Sequence, residues 1–351
     1  AVLDGNTIRD NVASTVSYGS GGGISLMLDS TAILDGDVVE GNIGATADDG
    51  WGGGLYVNGS QATLQNTVVR GNTASAAGTG LGGGLDLYIG AATLRGIVVN
   101  GNVASTAGWG AGGGLHIGLS HLELTGSRIA GNVASTKDSG FGGGMYLSSS
   151  DAMLSDNEVR DNIASGAADG NGGGLYLWQS RITLERNTII SNTATISPTA
   201  SGQGGGLWMA YGSTFTMTNN LVTWNRAASQ GSGLWVFGDP SYPSAGRLLH
   251  TTIADNGILT PTGGLDSGQG LYARNQVTLS STNTIIAGNA GVGITATAGS
   301  IIKLEATLWY ANGADTGGAA TPITGTITIY GDPAFVDPSS GDYNLGPSSA
   351  A

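Results

Sequence analysis

With 351 residues, 64 of them glycine but only 8 proline, the chain is neither collagen-like nor a disordered Pro/Gly tract, and 40% hydrophobic content is ample for a core. A net charge of −13 with only 12 Lys and Arg excludes nucleic acid as a partner and disfavours an anionic membrane surface. The lack of cysteine removes disulfide and thiol chemistry, and no apolar run approaches the ~18 residues of a membrane span.

The first residues, AVLDGNTIRDN, already read as part of a repeat, so any signal peptide is expected to be removed or not included. An Asn opening N-x-A-S returns at Asn11, Asn42, Asn72, Asn102, Asn132, Asn162 and Asn192, with looser versions at Asn225, Asn256, Asn289 and Asn312. Glycine triplets keep step at 21–23, 52–54, 82–84, 112–114, 142–144, 172–174 and 204–206. Apolar residues alternate after each triplet, as at Leu55/Val57, Leu85/Leu87 and Leu115/Ile117. A leucine stands eight residues before the Asn (Leu34, Leu64, Leu94, Leu124, Leu154, Leu184) and a Val or Ile three before it.

No segment carries helical spacing. Each unit therefore holds three short strands, Gly/Ser/Asn turns and one small-residue loop. Propeller blades are longer, and the leucine-rich signature is absent. The expected fold is all-β: a single parallel β-helix solenoid of about ten coils of ~30 residues, with three short parallel sheets. Coils are expected over 1–312 (regular 1–206, irregular 207–312), with 313–351 as a terminal coil and closing segment of the same domain. The recurring Asn suits turn geometry and a ladder of stacked amides. The glycines supply positive φ where the loop re-enters the coil.

The pairing of GGGL with a downstream N-x-A-S resembles the repeats of bacterial polymorphic outer-membrane proteins and autotransporter-type surface proteins. More broadly it resembles the right-handed β-helix repeats of the pectate-lyase-like superfamily. The ending GDPAFVDPSSGDYNLGPSSAA (331–351) is similar to the segment closing many secreted bacterial β-helix proteins. The resemblance covers essentially the whole chain. It implies a right-handed coil and an extracellular, bacterial cell-surface setting.

Catalytic signals are sparse. The contiguous motifs of polygalacturonase-type hydrolases are absent, and His116, His121 and His250 occupy different coil positions. Asp48, Asp49, Asp138 and Asp169 recur in the loop before the glycines but are spread over several coils. They read as turn formers, with a loop-bound Ca²⁺ as the weaker alternative, so no cofactor is expected.

The variable column is more informative. Between the inward apolar residues after each triplet stand Ser25, Tyr56, Asp86, His116, Tyr146, Tyr176, Trp208, Trp235 and Tyr272, with Tyr88, Trp178 and Phe237 two residues on. Trp51, Trp109 and Phe141 lie in nearby loops. Two readings stay open: a second small core under folded-over loops, or a binding face for a glycan or a surface protein. The leading functional expectation is a non-enzymatic extracellular adhesin, stalk or fibre subunit, able to self-associate end to end through unpaired strand edges. The alternative is a polysaccharide lyase or glycoside hydrolase acting on the aromatic face.

Overall fold

A computed structural model describes residues 1–259, 265–266, 268–297, 299–318 and 323–351. Parts of the expected irregular coils and closing segment thus lie outside the described residues. The coil from Gly50 shows the plan. Strands run at Gly50–Trp51, Leu55–Asn58, Gln61–Gln65, Val68–Arg70 and Thr73–Ser75, each pairing in parallel with its equivalent one coil away. The three expected strands are there. Two more come from the N-x-A-S segment and from the residue pair before the triplet, both of which join ladders of their own.

Among the described residues the strands form sheets of 22, 11, 10 and 7 strands, rather than three, parallel throughout except for the last pair of the 10-stranded sheet, plus a separate two-stranded antiparallel pair. The largest sheet is two ladders meeting at a corner. Corner residues from Gly36 through Asn66, Gly96, Gly126, Asp156 and Arg186 to His250 all take positive φ, so the chain turns by the same left-handed kink in each coil.

The apolar core is the column of inward side chains from the 11-stranded and 22-stranded sheets. Leu55, Val57, Leu64, Val69, Leu94, Val99, Leu124 and Ile129 have essentially no exposure and belong to one continuous cluster. A single coil encloses nothing, so burial arises from the neighbour above and below.

Beside this core lies a thin lobe where the 10- and 7-stranded sheets touch backbone to backbone. A β-carbon on Gly80 would stand 1.8 Å from the Ala104 carbonyl oxygen, and one on Gly83 2.4 Å from the Gly113 oxygen. Only the first glycine of that triplet, Gly82, needs its positive φ of 62°; the next two are there for closeness.

The asparagines form the expected ladder. In each step the Oδ1 of one Asn accepts both the backbone N–H and the side-chain amide of the Asn in the preceding coil, as Asn132 does from Asn102 at 3.0 Å. The second amide hydrogen of Asn102 goes to the Val69 carbonyl. This runs unbroken from Asn11 to Asn312, with a step of 30 residues between Asn42 and Asn192 and steps of 33, 31, 33 and 23 beyond. Every buried amide is satisfied by the next coil, and mispaired registers would leave them orphaned.

At the far end Phe335–Asp337 and Asp342–Leu345 pair antiparallel and fold back onto the outer wall of the coils. Tyr343 packs beside Ala254 and Ala287, and its hydroxyl donates to the Asp255 carboxylate. Trp224 donates its ring N–H to the Pro338 carbonyl at 3.4 Å. This clasp borders a half-open, mainly apolar cleft of about 360 Å³ against Ile285, Leu308 and Ile329.

Candidate functional site

The outward residues of the 11-stranded sheet do stand in one column: Tyr56, Asp86, His116, Tyr146, Tyr176, Trp208, Trp235 and Tyr272 are register partners in turn. Parallel in-register strands put equivalent side chains about 4.8 Å apart, which is ring-stacking distance. Tyr146 and Tyr176 stack at 4.8 Å, Tyr176 and Trp208 at 4.1 Å, and Trp208 and Trp235 at 5.0 Å, all within 10° of parallel.

The rings are also walled in from the sides. Phe141, on the two-residue strand before its triplet, meets Tyr176 edge-on at 5.3 Å, and Gln203 accepts from the Trp208 ring N–H at 3.4 Å. On the other flank Trp178, Tyr211 and Phe237 pack together. Tyr176, Trp208, Trp235 and Tyr272 end up at most 8% exposed.

This decides between the two open readings for the C-terminal half of the column. A sugar or partner stacks on a ring face; both faces of Tyr176 and Trp208 are taken by rings of neighbouring coils, and Trp235 and Tyr272 are buried in the same cluster. Tyr176, Trp208, Trp235 and Tyr272 are a second small core, not a binding strip. Burial raises the Tyr146 hydroxyl pKa, opposed by a bond with Ser148; burial, then Tyr146 and Tyr211, push that of Tyr176 far above its ordinary value. Neither is a proton donor of use near neutrality. Trp178 and Phe237 are half-buried flanks of this core.

The N-terminal half differs. There the column passes from Tyr56 through Asp86 and His116 to Tyr146, and the aromatic stack is interrupted by a polar pair. His116 Nδ1 lies 2.7 Å from Asp86 Oδ1, with both residues at least nine-tenths buried. A carboxylate only accepts, so of the two neutral tautomers this bond selects the one with the proton on Nδ1 and the lone pair on Nε2. Nε2 makes no hydrogen bond among the described residues, and the His116 side chain as a whole is 9% exposed. The His116 ring stacks on Tyr146 at 5.3 Å. Tyr56 takes a 2.8 Å bond from the Asn58 amide, and its hydroxyl pKa is raised, chiefly by burial and secondarily by Asp86 and Tyr88.

Tyr88 completes this half. It is register partner to Gly118, and a β-carbon there would sit 3.0 Å from Tyr88 Cδ2 and 3.4 Å from His116 Cε1. The Tyr88 ring therefore leans into the space Gly118 leaves open, beside His116, and stays 38% exposed. Sequence reasoning treated His116 as a lone histidine and missed Asp86 as its partner and Gly118 as the enabling gap. The signal existed: Asp86 and His116 hold the same repeat position one coil apart.

The acidic loop residues accept backbone N–H groups, Asp48 and Asp138 within their own loops, Asp49 and Asp169 from the next coil. Asp49 accepts the Thr79 N–H, Asp48 the Asp49 N–H, Asp138 the Ser139 N–H and Asp169 the Ser201 N–H. Asp48 and Asp49 share one coil while Asp138 and Asp169 stand on two others, and no cluster of three metal-binding side chains occurs among the described residues.

A model of the right-handed β-helix region matches residues 105–246 and 173–332. The chain belongs to the right-handed β-helix family. No curated protein matches this β-helix in sequence. Solved structures similar to it include the periplasmic alginate epimerase AlgG, at 11% identity and TM-score 0.33, covering 86% of this chain and 76% of that one. An endo-xylogalacturonan hydrolase from Aspergillus tubingensis matches at 10% identity and TM-score 0.30, covering 93% and 91%. A TibC-hyper-glycosylated fragment of TibA matches at 15% identity and TM-score 0.19, covering 93% and 99%. Likeness at this level says nothing of the activity of this β-helix.

Proposed function

We propose that this β-helix is a non-enzymatic extracellular or cell-surface rod, serving as adhesin, stalk or fibre subunit and contacting a glycan or a surface protein along its side. One observation carries the reading: the recurrent polar residues, above all the Asn column from Asn11 to Asn312, are consumed by coil-to-coil bonds. Variation at inward positions stays among apolar residues, as in the column Ala92, Leu122, Ala152, Ile182 and Phe215, while outward positions vary freely in chemistry. Such a molecule is built to hold length and present a surface. The absence of Lys and Arg from the strands around His116 and the overall charge of −13 favour a neutral partner over an anionic one. No helix among the described residues is long and apolar enough to cross a membrane.

A glycan array, read beside negative-stain microscopy of the concentrated protein, tests this reading. Binding to immobilised glycans or assembly into fibres is the expected result; a monomeric rod that binds neither glycan nor surface protein contradicts it.

A second reading, an enzyme acting on polysaccharide, is favoured by one specific feature. The Asp86–His116 pair has the form of an oriented general base, with Nε2 free. Depolymerisation of pectin, alginate or neutral plant polysaccharides, abolished by His116→Ala, would establish it in place of the first.

A further inference from the structure

Four features of the N-terminal half of the column have no structural account in coil stacking. Tyr88 is a large aromatic left 38% exposed, beside a buried Gly118 and a half-buried Asn58 in its own column. Gly118 leaves a gap that Tyr88 and His116 share, although its equivalents one coil away are Tyr88 itself and Ser148. Asp86 and His116 spend two buried polar side chains on fixing one imidazole, where the later coils use plain aromatic stacking. Finally, Ile89 and Leu119, at the next corner, are apolar side chains left more than half exposed; their positive φ is only the kink that neighbouring coils also make there, as at Gly59, Ser149 and Gln179.

We infer that Tyr88, seated over Gly118 against His116, is the platform for one neutral sugar residue, whose hydroxyl donates to His116 Nε2. This rests on the glycan-binding side of the function proposed above and narrows it to one place. The chemistry fits the ligand class on each count. A half-exposed phenol ring offers a flat face to the C–H side of a pyranose and a hydroxyl at its rim. Ile89 and Leu119 extend the apolar shoulder beside that face. The lone pair on Nε2, held in one tautomer by Asp86, is an acceptor aimed by the fold rather than by the ligand, so little ordering cost falls on binding.

Charge selects among sugars. The strands Leu55–Asn58, Leu85–Tyr88, Leu115–Gly118 and Met145–Ser148 carry no Lys or Arg, and the one charged group at the site is the Asp86 carboxylate. A uronate would meet an anion with no cation to offset it. Neutral hexoses and pentoses meet no such penalty.

The test is a titration of the whole chain with neutral oligosaccharides (cello-, xylo-, manno- and galacto-oligosaccharides) and, as a separate arm, with oligogalacturonate. It is followed by the His116 imidazole proton resonances and by saturation transfer to the ligand. At least one neutral series should bind and shift the His116 signals, and oligogalacturonate should not. Tyr88→Ala and Gly118→Ala, the latter driving Tyr88 off its seat, should each weaken that binding by up to about tenfold. Tyr242→Ala, a distant exposed tyrosine, should leave it unchanged. Tyr88→Ala removes an exposed ring and keeps the thermal midpoint, so it remains decisive if Gly118→Ala misfolds. Neutral glycan binding that ignores Tyr88→Ala overturns this site and leaves the glycan-binding rod standing. Binding of oligogalacturonate alone overturns the neutral-ligand assignment. Failure of every glycan overturns both this site and the glycan side of the proposed function.

Discussion

At the residue scale, the same side chain type does different work according to which way its strand turns it. Leu124 points inward, is fully enclosed, and touches the leucine columns of the coils on either side. Leu124→Ala should lower unfolding free energy by about 2–5 kcal/mol, measured by denaturant titration; an unchanged midpoint would place it outside the core. Trp208 points outward, yet it is enclosed by Tyr176, Trp235 and Gln203. Trp208→Ala should therefore cost about 3–5 kcal/mol, as for a core aromatic. A binding-platform tryptophan would lose ligand and keep its melting temperature. The alternation of Leu and aromatic residues made both positions legible in the sequence. Burial of the outer column was not legible, because it depends on Phe141, Gln203 and Tyr211, which reach the rings from other strands.

At the element scale, the ladders are set by identical short strands, and the least regular element is the clasp at 335–345. Its anchor is the bond from Tyr343 to Asp255. Burial raises the Asp255 pKa above the ordinary carboxylate value, partly offset by the Tyr343 bond. The folded state therefore binds that proton more tightly than the unfolded chain does. The resulting stability is fully present below the ordinary carboxylate pKa and is lost as pH rises through the raised value. Thermal midpoints taken across the mildly acidic range should fall with rising pH for this reason, and Asp255→Asn should flatten that part of the profile. An identical profile in the variant would show that Asp255 does not titrate with unfolding. The sequence ending was readable as a closing segment, but where it closes was not: Leu221, Trp224 and Asp255 lie far back along the chain, Asp255 88 residues before Tyr343, and carry no local mark of a partner.

At the scale of the whole molecule, the coils form a one-dimensional stack in which each interacts chiefly with its two neighbours. Excising one full period, Val103 to Asn132, joins Asn102 to Val133 and brings Asn102 onto Asn162 with every ladder still in register. The shortened chain should fold and melt cooperatively. Removing half a period instead sets inward leucines against outward positions and should yield an aggregated or unfolded product; folding of both deletions would mean that register is not what holds the rod together. The period was plain from Asn42 to Asn192 because identical coils impose identical residues. It blurs beyond Asn192, where the spacing varies from 33 to 23 residues and the Asn amide is the clearest remaining marker.

The central claim is that residues one period apart lie directly over one another. Because the chain has no native cysteine, spin labels can be placed at will. Thr63 and Thr183 share one outward column and are four coil steps apart through Thr93, Glu123 and Met153. Thr63→Cys/Thr183→Cys, measured by double electron–electron resonance, should give a single distance centred near 19 Å, four steps of about 4.8 Å. A distribution centred well beyond 30 Å, or one too broad to define a single register, would contradict the stacked coil.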